Sequence, residues 1–358
     1  MKILLVHPGA NWSTADLNTG IANALVKRPV ELAYYALNGR LTSANSWLQW
    51  QWRHSGKRGE RPNGTDAQYL ASSGVIERAL RFGADWVFIV SATMMHPDAF
   101  IMLKRAGLKT AILFTECPYD DDFQMQFAPF ADVCWVNDKT SLARFRQAVP
   151  QTFYWQHAYD QLRHSPAAPE NEPEVPAHDV VFVGTGFEER IKLFEQVNWD
   201  GIDLGLYGTW ELASRKSPLQ PYIHNAVTPN PVTAALYRKA RIGINLHRSS
   251  VGYGRNTIKI TGAYSLGPRC YELAACGVFY ISDYRPELTD VFGDAVPTYT
   301  TAAELETQIR YYLAHDEERA AKAALLPGLA ARHTFDARVG EMLEILEAQG
   351  AGNGKVSR

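Results

Sequence analysis

The sequence is poor in cysteine, and it has no long hydrophobic run and no excess of charge of either sign. Its 4 cysteines among 358 residues lack the spacing of zinc ligands, so we expect buried, reduced thiols in a cytoplasmic protein. No apolar stretch reaches the about 18 residues that a membrane span needs, and the apolar run at residues 3–6 is too short for a signal peptide. A membrane-spanning or disulfide-stabilised protein is therefore not expected.

Charge and motif content bear on further classes of protein. The formal net charge of −2 argues against a protein that is basic over its whole surface, although a local basic patch stays open. The full dinucleotide fingerprint, a serine elbow and the zinc motif His-Glu-x-x-His are all absent. The absence of the dinucleotide fingerprint weakens the hypothesis that the protein is a dinucleotide-dependent oxidoreductase. The other two absences give no support to a serine hydrolase or a zinc protease. No cofactor is expected.

Short apolar runs alternate with helical patterns along both halves of the chain. The length and the 46% of hydrophobic residues suit two domains of ordinary size. We predict an α/β fold with two Rossmann-like domains, a cleft between them, and ligands at the carboxyl ends of the strands. The strands are predicted at residues 2–6, 86–90, 110–114 and 133–136 and at residues 180–183, 204–207, 242–246, 278–281 and 296–299.

A segment between these two series has the composition of a linker. Residues 165–178 contain four prolines and three glutamates. We therefore predict one domain over residues 1–162, a linker over residues 163–178 and a second domain over residues 179–333. A last helix over residues 334–350 can return to the N-terminal domain, and the polar tail at residues 351–358 is expected to fray.

The stretch that begins at Gly267 predicts a helix whose start binds phosphate. Pro268 suits the first helical position, an apolar-periodic run follows, and Gly277 predicts the end of the helix. The free backbone N–H groups at such a start attract an anion. Glu272 lies about one turn further along and can accept hydrogen bonds from sugar hydroxyls. The same pattern is also typical of an ordinary helix–strand unit.

Two further strand ends in the second half carry candidate donor-site residues. Gly184 and Gly186 form a turn after a predicted strand and allow close backbone approach, and Arg190 can hold a phosphate. The alternative is a plain turn with a solvated arginine.

The next such strand ends in Asn245, His247 and Arg248, which are expected to face the cleft unless they only cap the strand. The glycine-rich loop at residues 249–261, which carries Lys259, is predicted to close over a substrate.

Strand ends in the first half carry His7 and Glu116. Either residue is a candidate base, although His7 can also be an ordinary strand-end residue. The three carboxylates at residues 120–122 do not converge well on one ion and predict a turn with a helix start, so no metal site is expected. Tyr119 in the same turn is assigned to the acceptor site.

Aromatic and basic residues alternate at residues 47–61. Trp50, Trp52 and Arg53 are candidates for stacking bases or sugars and for contacting phosphates. The alternative is a solvated loop whose tryptophans pack on the domain surface.

The residues of the second half resemble those of the CgeB-like glycosyltransferases, which belong with the group 1 glycosyltransferases of GT-B fold. The resemblance rests on Arg269 to Gly277, Asp283, Leu288, Phe292-Gly293, Ala303 to Leu305 and Arg332 to Arg338. Weaker matches are Phe114 to Glu116, Ala131 to Val133, Gln156 to Asp160, Gly184 and Leu206 to Trp210. The opening from His7 to Asp16 is similar to glycosyltransferases of bacteriophages and actinobacteria.

This resemblance implies a nucleotide-sugar donor held by the second domain and an acceptor held by the first. Glu272 matches the glutamate that binds the donor ribose in related enzymes. The glutamate that many relatives carry eight positions earlier is Tyr264 here. Arg190 and Lys259 are implied as partners of the diphosphate, with Arg269 behind them. The donor site is further implied to be lined by His247, Arg248, Gly184, Gly186 and Gly267.

The sequence therefore predicts a metal-independent, hexosyltransferase-like enzyme that moves a sugar from a nucleotide-diphosphate donor, with UDP favoured, to an acceptor hydroxyl. Arg190 is predicted to stabilise the leaving diphosphate, and His7 or Glu116 acts as base if the reaction inverts the anomeric carbon. One alternative is transfer to hydroxylated bases of phage DNA. The other is a nucleotide- or sugar-binding protein without catalysis. The acceptor (protein, glycan or modified DNA) and the oligomeric state are left open.

Overall fold

The computed structural model describes residues 1–9, 13–225 and 228–351, and the chain divides into two compact units. Unit 1 contains residues 1–155 together with the chain from Asp336 onward. Unit 2 contains Gln156–Phe335. Each unit is built around its own six-stranded parallel sheet, as predicted for two Rossmann-like domains.

Unit 1 has the strand order β2-β1-β3-β4-β5-β6. Its strands are β1 (Lys2–Val6), β2 (Glu31–Tyr35), β3 (Trp86–Val90), β4 (Lys109–Phe114), β5 (Val133–Val136) and β6 (Thr152–Tyr154). Its helices are α1 (Ser13–Val26), α2 (Leu37–His54), α3 (Gly64–Phe82), α4 (Pro97–Arg105), α5 (Asp121–Gln124), α6 (Leu142–Ala148) and α13 (Phe335–Ala351).

The four strands predicted in unit 1 are present, and three elements were missed. β3 and β5 are buried at every residue, which is why their continuous apolar runs were easy to recognise. Two of the missed elements are the strands β2 and β6, which lie at the two edges of the sheet. The third is the helix α2, and the aromatic–basic run begins within it.

The helix α13 is anchored to unit 1 by contacts at both of its ends. The Lys27 ammonium contacts the Asp336 carboxylate at 2.9 Å, and the Arg28 guanidinium donates to the Asp336 carbonyl at 2.6 Å. At the other end, Lys109 donates to the carbonyl of Gln349 at 3.2 Å.

Unit 2 has the strand order β12-β11-β10-β7-β8-β9. Its strands are β7 (Val180–Val183), β8 (Leu204–Tyr207), β9 (Ile223–His224), β10 (Ile242–Asn245), β11 (Tyr280–Asp283) and β12 (Thr298–Tyr299). Its helices are α7 (Glu188–Phe194), α8 (Asn230–Lys239), α9 (Pro268–Ala275), α10 (Pro286–Phe292), α11 (Ala302–Ala314) and α12 (Asp316–Ala330).

Several bounds in unit 2 differ from the prediction. The strands predicted at residues 278–281 and 296–299 each begin two residues later, at Tyr280 and Thr298, and the strand predicted at residues 242–246 ends at Asn245. The two-residue strand β9 was missed. The helix α9 begins at Pro268 and is followed by Gly277 at a φ of 72°, as its sequence predicts.

The segment at residues 163–178 contains no helix or strand, and the side chain of Arg238 holds it against unit 2. Arg238 donates to the Glu172 carboxylate at 2.5 Å and to the carbonyls of Arg163 and Ser165 at 3.2 and 3.1 Å. All four cysteines are free and buried, as predicted. Among the described residues, no helix is both long enough and apolar enough to cross a membrane.

Candidate functional site

The strand order of unit 2 reverses between β7 and β10, which are neighbours in the sheet. From β7 the chain proceeds through β8 and β9 to one edge, and from β10 it proceeds through β11 and β12 to the other. Parallel sheets bind ligands outside the carboxyl ends of the strands at such a reversal. The loops after Val183 and Asn245 therefore mark the candidate site of unit 2.

The loop after β7 comes close to its neighbours at both of its glycines. A Cβ atom at Gly184 would lie 2.5 Å from Nη2 of Arg269, and one at Gly186 would lie 2.7 Å from the ring of Trp210. Both distances are shorter than real Cβ contacts, so a side chain at Gly186 would clash with Trp210, whereas one at Gly184 would force the flexible end of Arg269 to move. A bare backbone of this kind suits a pyrophosphate.

Three arginines lie beside the two phenylalanines that flank this loop, one in β7 and one at the start of α7. The guanidinium of Arg269 lies 5.1 Å from the ring centre of Phe182, and that of Arg248 lies 5.6 Å from that of Phe187. The guanidinium of Arg190 lies within 5.3 Å of both ring centres. The structure thus concentrates positive charge beside the glycine turn, as a diphosphate requires.

Arg190 has a structural role that its sequence context did not reveal. Its side chain is buried and donates to the carbonyl of Thr185 at 2.8 Å and to that of Leu246 at 2.7 Å. These two bonds tie the start of α7 to the loops after β7 and β10. The role of Arg190 on the diphosphate stays a prediction.

Arg269 and Glu272 have capacity to bind a ligand. The Nε atom of Arg269 is buried and has no hydrogen-bond partner among the described residues. Glu272 is partly buried, and its carboxylate accepts no hydrogen bond within the described part of the chain. The helix α9 starts after Gly267 without a side-chain cap, so its first N–H groups have no side-chain acceptor among the residues described.

His247 is fixed by Asp283, a residue that the sequence singled out only through the family resemblance. The Nδ1 atom and the backbone N–H of His247 lie 2.7 and 2.9 Å from Oδ1 of Asp283. Burial opposes ionisation of Asp283, but its contacts with His247 outweigh burial and lower its pKa below the usual value. The amide of Asn245 contacts the same imidazole and donates to Ser282 at 2.9 Å.

The loop after Arg248, which was predicted to close over a substrate, is docked on α7 through Glu189. The Glu189 carboxylate accepts from the backbone N–H groups of Ser249 and Ser250 at 3.0 and 3.1 Å and from Lys259 at 2.8 Å. Lys259, predicted to contact the diphosphate, is therefore paired with a carboxylate here. Burial would raise the pKa of Glu189, but these bonds lower it to about 2.

We expect Glu189→Gln to destabilise unit 2 at neutral pH and to have no effect in strong acid. The folded-state pKa of about 2 lies below the ordinary value of 4.5, so this stabilisation is present above about pH 4.5 and is lost as the pH falls towards 2. Its upper limit is about 3 kcal/mol. Urea unfolding of both proteins from about pH 7 to 2.5 measures the difference, with Glu317→Gln on exposed α12 as control. A difference that does not depend on pH would contradict this origin.

The unit 1 candidates follow strands that are not adjacent. His7 follows β1 and Glu116 follows β4, with β3 between these two strands. The Nδ1 atom of His7 accepts from the N–H of Gly9 at 3.1 Å, which leaves the proton of the neutral imidazole on Nε2. Burial lowers the pKa of His7, so the imidazole is neutral at pH 7. His7 and Glu116 thus follow strands that are not neighbours in the sheet, and their roles stay predictions.

Sequence reasoning missed Ser91, which follows β3 at the strand-order reversal of unit 1. Ser91 is buried and has a φ of 52°, a strained conformation for a residue with a side chain. Its hydroxyl lies 3.2 Å from that of Thr93. No sequence signal marks a positive φ at a serine.

In the turn at residues 115–122, Tyr119 is half-buried and lies two residues before α5.

Trp50, Trp52 and Arg53 lie near the end of the helix α2. Trp52 is partly buried and donates to the carbonyl of Gly59 at 3.3 Å, so it organises the turn after the helix. Trp50 stacks on neighbours of its own helix, whereas Arg53 is exposed. The aromatic–basic run is therefore helix and turn together, and not a loop throughout.

Comparisons with known proteins agree with this architecture. Residues 190–344 match a family model described as glycosyl transferase-like. Sucrose-phosphate synthase of Thermosynechococcus elongatus is 12% identical, with a TM-score of 0.64 over 98% of this chain and 100% of its own. Anabaena HepE in complex with UDP is also 12% identical, with a TM-score of 0.62 over 97% of this chain and 100% of its own.

The same fold is also present in a protein described as an enzyme of another class. A Listeria monocytogenes protein described as a UDP-N-acetylglucosamine 2-epimerase is 11% identical, with a TM-score of 0.58 over 99% of this chain and 98% of its own. No curated protein sequence matches the chain significantly. The chain has the GT-B fold with two Rossmann-like domains, and its residues 190–344 are similar to the glycosyl transferase-like family.

Proposed function

We propose that the chain is a cytoplasmic, metal-independent glycosyltransferase of the CgeB-like kind that transfers a hexose from a UDP-sugar to an acceptor hydroxyl. The observation that carries this proposal is the bare turn at Gly184 and Gly186, with the half-buried Arg269 against it and Glu272 three positions further along α9. A nucleotide diphosphate presents two phosphates and a ribose, and this arrangement offers a partner for each. Four buried free thiols suit a reducing compartment.

The choice of donor rests on two arguments. HepE was solved with UDP, and residues 190–344, which include most of the candidate site, match the glycosyl transferase-like family. In unit 2, the pyrophosphate fits against the glycine turn and the start of α9, where N–H groups and Arg269 carry positive charge. Glu272 then accepts hydrogen bonds from the ribose hydroxyls. His247, which Asp283 fixes, and Arg248 follow β10, the strand beside β7 in the sheet.

Transfer breaks the bond between the anomeric carbon and the β-phosphate oxygen and forms a bond from that carbon to the acceptor oxygen. The leaving UDP gains negative charge as the bond breaks. Arg269, Arg248 and the N-terminus of α9 would stabilise this charge in the manner of a preorganised oxyanion site. Lys259 would also stabilise this charge if its ion pair with Glu189 breaks. In an inverting enzyme the acceptor proton passes to Glu116, or to Nδ1 of His7 once the hydrogen bond from Gly9 is released.

Thermal denaturation with UDP, GDP, ADP or CMP tests the donor site. We expect UDP at about a hundred times its Kd to raise the Tm by about 5 °C without added metal. Glu272→Ala is expected to remove most of this shift, because the ribose hydroxyls lose their acceptor. Glu317→Ala on α12 is the matched control and should keep the shift. A Tm that no nucleotide raises would contradict the proposal.

Release of UDP from UDP-hexoses separates the proposed enzyme from the alternatives. Slow release of UDP and free hexose by water, accelerated by a suitable acceptor, is expected of a transferase. Conversion of the donor to an epimer without UDP release would assign the site to the chemistry of the Listeria neighbour. Binding without either reaction would indicate a protein that has lost catalysis. Proteins, glycans and duplex DNA with hydroxymethylated bases are the acceptor classes to compare.

A further inference from the structure

The solvent-facing side of α2 in unit 1 carries an aromatic stripe. Leu41, Ala44 and Leu48 turn towards the core, whereas Trp47 and Trp50 are 54% and 50% exposed. At 100° per residue, Trp50 lies on the side of the helix that faces away from these core residues, and Trp47 lies at the flank, about 90° from them. A helix with a second apolar stripe has surface to bury that its own domain does not cover.

The rings of this stripe are stacked on one another. The ring centres of Trp47 and Trp50 are 5.3 Å apart with planes 18° from parallel, and those of Trp50 and His54 are 4.2 Å apart with planes 27° from parallel. Trp47 precedes Trp50 on the helix and His54 follows it, so two neighbouring rings each cover part of the Trp50 ring. Half of the Trp50 side chain stays exposed.

Positive charge continues directly from the aromatic stripe. Residues 37–63 contain five arginines and lysines against one acidic residue, in a chain whose net charge is −2. Arg53, Lys57 and Arg58 are exposed. Favourable placement of cations at a helix C-terminus accounts for some of this charge, but it gives no reason for exposed tryptophans.

We propose that the aromatic–basic surface formed by Trp47, Trp50, Arg53, Lys57 and Arg58 docks unit 1 onto an anionic lipid bilayer surface. Tryptophan is favoured at the headgroup level, where its apolar ring is buried and its N–H finds an acceptor. The exposed half of the Trp50 side chain is available for this insertion. Neighbouring lysines and arginines attract anionic headgroups.

Other partners that could bind this aromatic–basic surface fit it less well. A nucleic-acid base or a sugar ring binds tryptophan by stacking on its face, and Trp50 already stacks on two rings of its own helix, which leaves less of that face available. A second copy of the chain would bring like charges together if it docked through the same surface. An anionic bilayer satisfies both the charge and the ring geometry.

Sedimentation with lipid vesicles tests the proposal with the whole chain and without donor or acceptor, so its outcome does not depend on sugar transfer. We expect binding to vesicles of phosphatidylglycerol and phosphatidylcholine, little binding to phosphatidylcholine alone, and weaker binding as salt rises. The triple variant Arg53→Gln/Lys57→Gln/Arg58→Gln should bind about 100-fold more weakly. The control variant Lys104→Gln/Arg105→Gln/Arg81→Gln, which removes three charges from other helices of unit 1, should bind like the original protein.

The double variant Trp47→Ala/Trp50→Ala separates insertion from attraction by charge alone. We expect about tenfold weaker vesicle binding and loss of most of the fluorescence quenching by lipids brominated in the upper acyl chain. Both residues are exposed, so the fold is expected to persist, and the Tm checks this. Tyr311→Ala, on exposed α11 of unit 2, is the matched control.

Two results would overturn the proposal. One is the absence of sedimentation with anionic vesicles at low salt, or sedimentation that is equal for the original protein and both surface variants. The other is tighter binding to a single-stranded oligodeoxynucleotide than to vesicles, with loss of that binding in the tryptophan variant. That second result would assign the surface to nucleic acid.

Discussion

Replacing Arg269 by alanine is expected to lower the rate of sugar transfer by a factor of about 100 to 1,000. The Arg269 guanidinium lies against the bare Gly184 turn, where the pyrophosphate is proposed to bind, and its Nε has no partner among the described residues. It can therefore donate to the leaving UDP as charge develops there. Arg269→Lys should recover part of the rate, because an ammonium supplies the charge but not the planar fork.

The control for this loss is another arginine of unit 2. Arg310 on α11 is 42% exposed and pairs with Glu306, so Arg310→Ala should leave the rate unchanged. Steady-state kinetics with saturating acceptor gives kcat and KM for the donor in each protein. A rate for Arg269→Ala within a few-fold of the original would remove this residue from the mechanism. A selective rise in KM would assign it to donor binding alone.

Gly208→Ala is expected to lower the free energy of unfolding by about 3 kcal/mol or more and the Tm by about 10 °C. Gly208 follows β8 at a φ of 115°, a conformation that residues with side chains rarely adopt. A Cβ atom there would lie 2.5 Å from the carbonyl oxygen of Gly184. Since that oxygen belongs to the backbone, the clash can be relieved only by moving the turn itself, and UDP binding should weaken as well.

Gly201→Ala separates the two causes of this destabilisation. Gly201 also has a positive φ, 75°, but a Cβ atom there would meet nothing within 4 Å. The variant should lose only about 1 kcal/mol and keep its response to UDP. Thermal denaturation of both variants with and without UDP makes the comparison. Equal losses in the two proteins would show that backbone conformation, and not the contact with Gly184, sets the cost.

The fold was largely predictable because most strands of a parallel sheet are buried on both faces. β3, β5 and β7 are apolar at every residue, and the sequence predicted their bounds. The strands at the sheet edges lack this signal, since β2 is only partly buried and β9 has two residues. The helix α2 starts after Ala36, with no side-chain cap to mark its beginning.

The candidate site was predictable where glycine and proline determine local geometry. The glycines at 184 and 186 and the start of α9 lie where the sequence predicted, because such residues act within a few positions of the chain. The partners of the charged residues were not predictable. Arg190 bonds to a carbonyl 56 residues away and Lys259 to a carboxylate 70 residues away, and no local pattern encodes such pairs.

The return of α13 to unit 1 determines the order in which the two units can be completed during synthesis. Unit 2 is one continuous segment and has all its strands once Phe335 has left the ribosome. Unit 1 has its whole sheet much earlier, but it lacks α13 and the contacts of Asp336 and Gln349 until the chain has been made past them. The first part of the chain to be translated is thus the last to be finished, and its uncovered apolar surface is exposed in the meantime to chaperones and to aggregation.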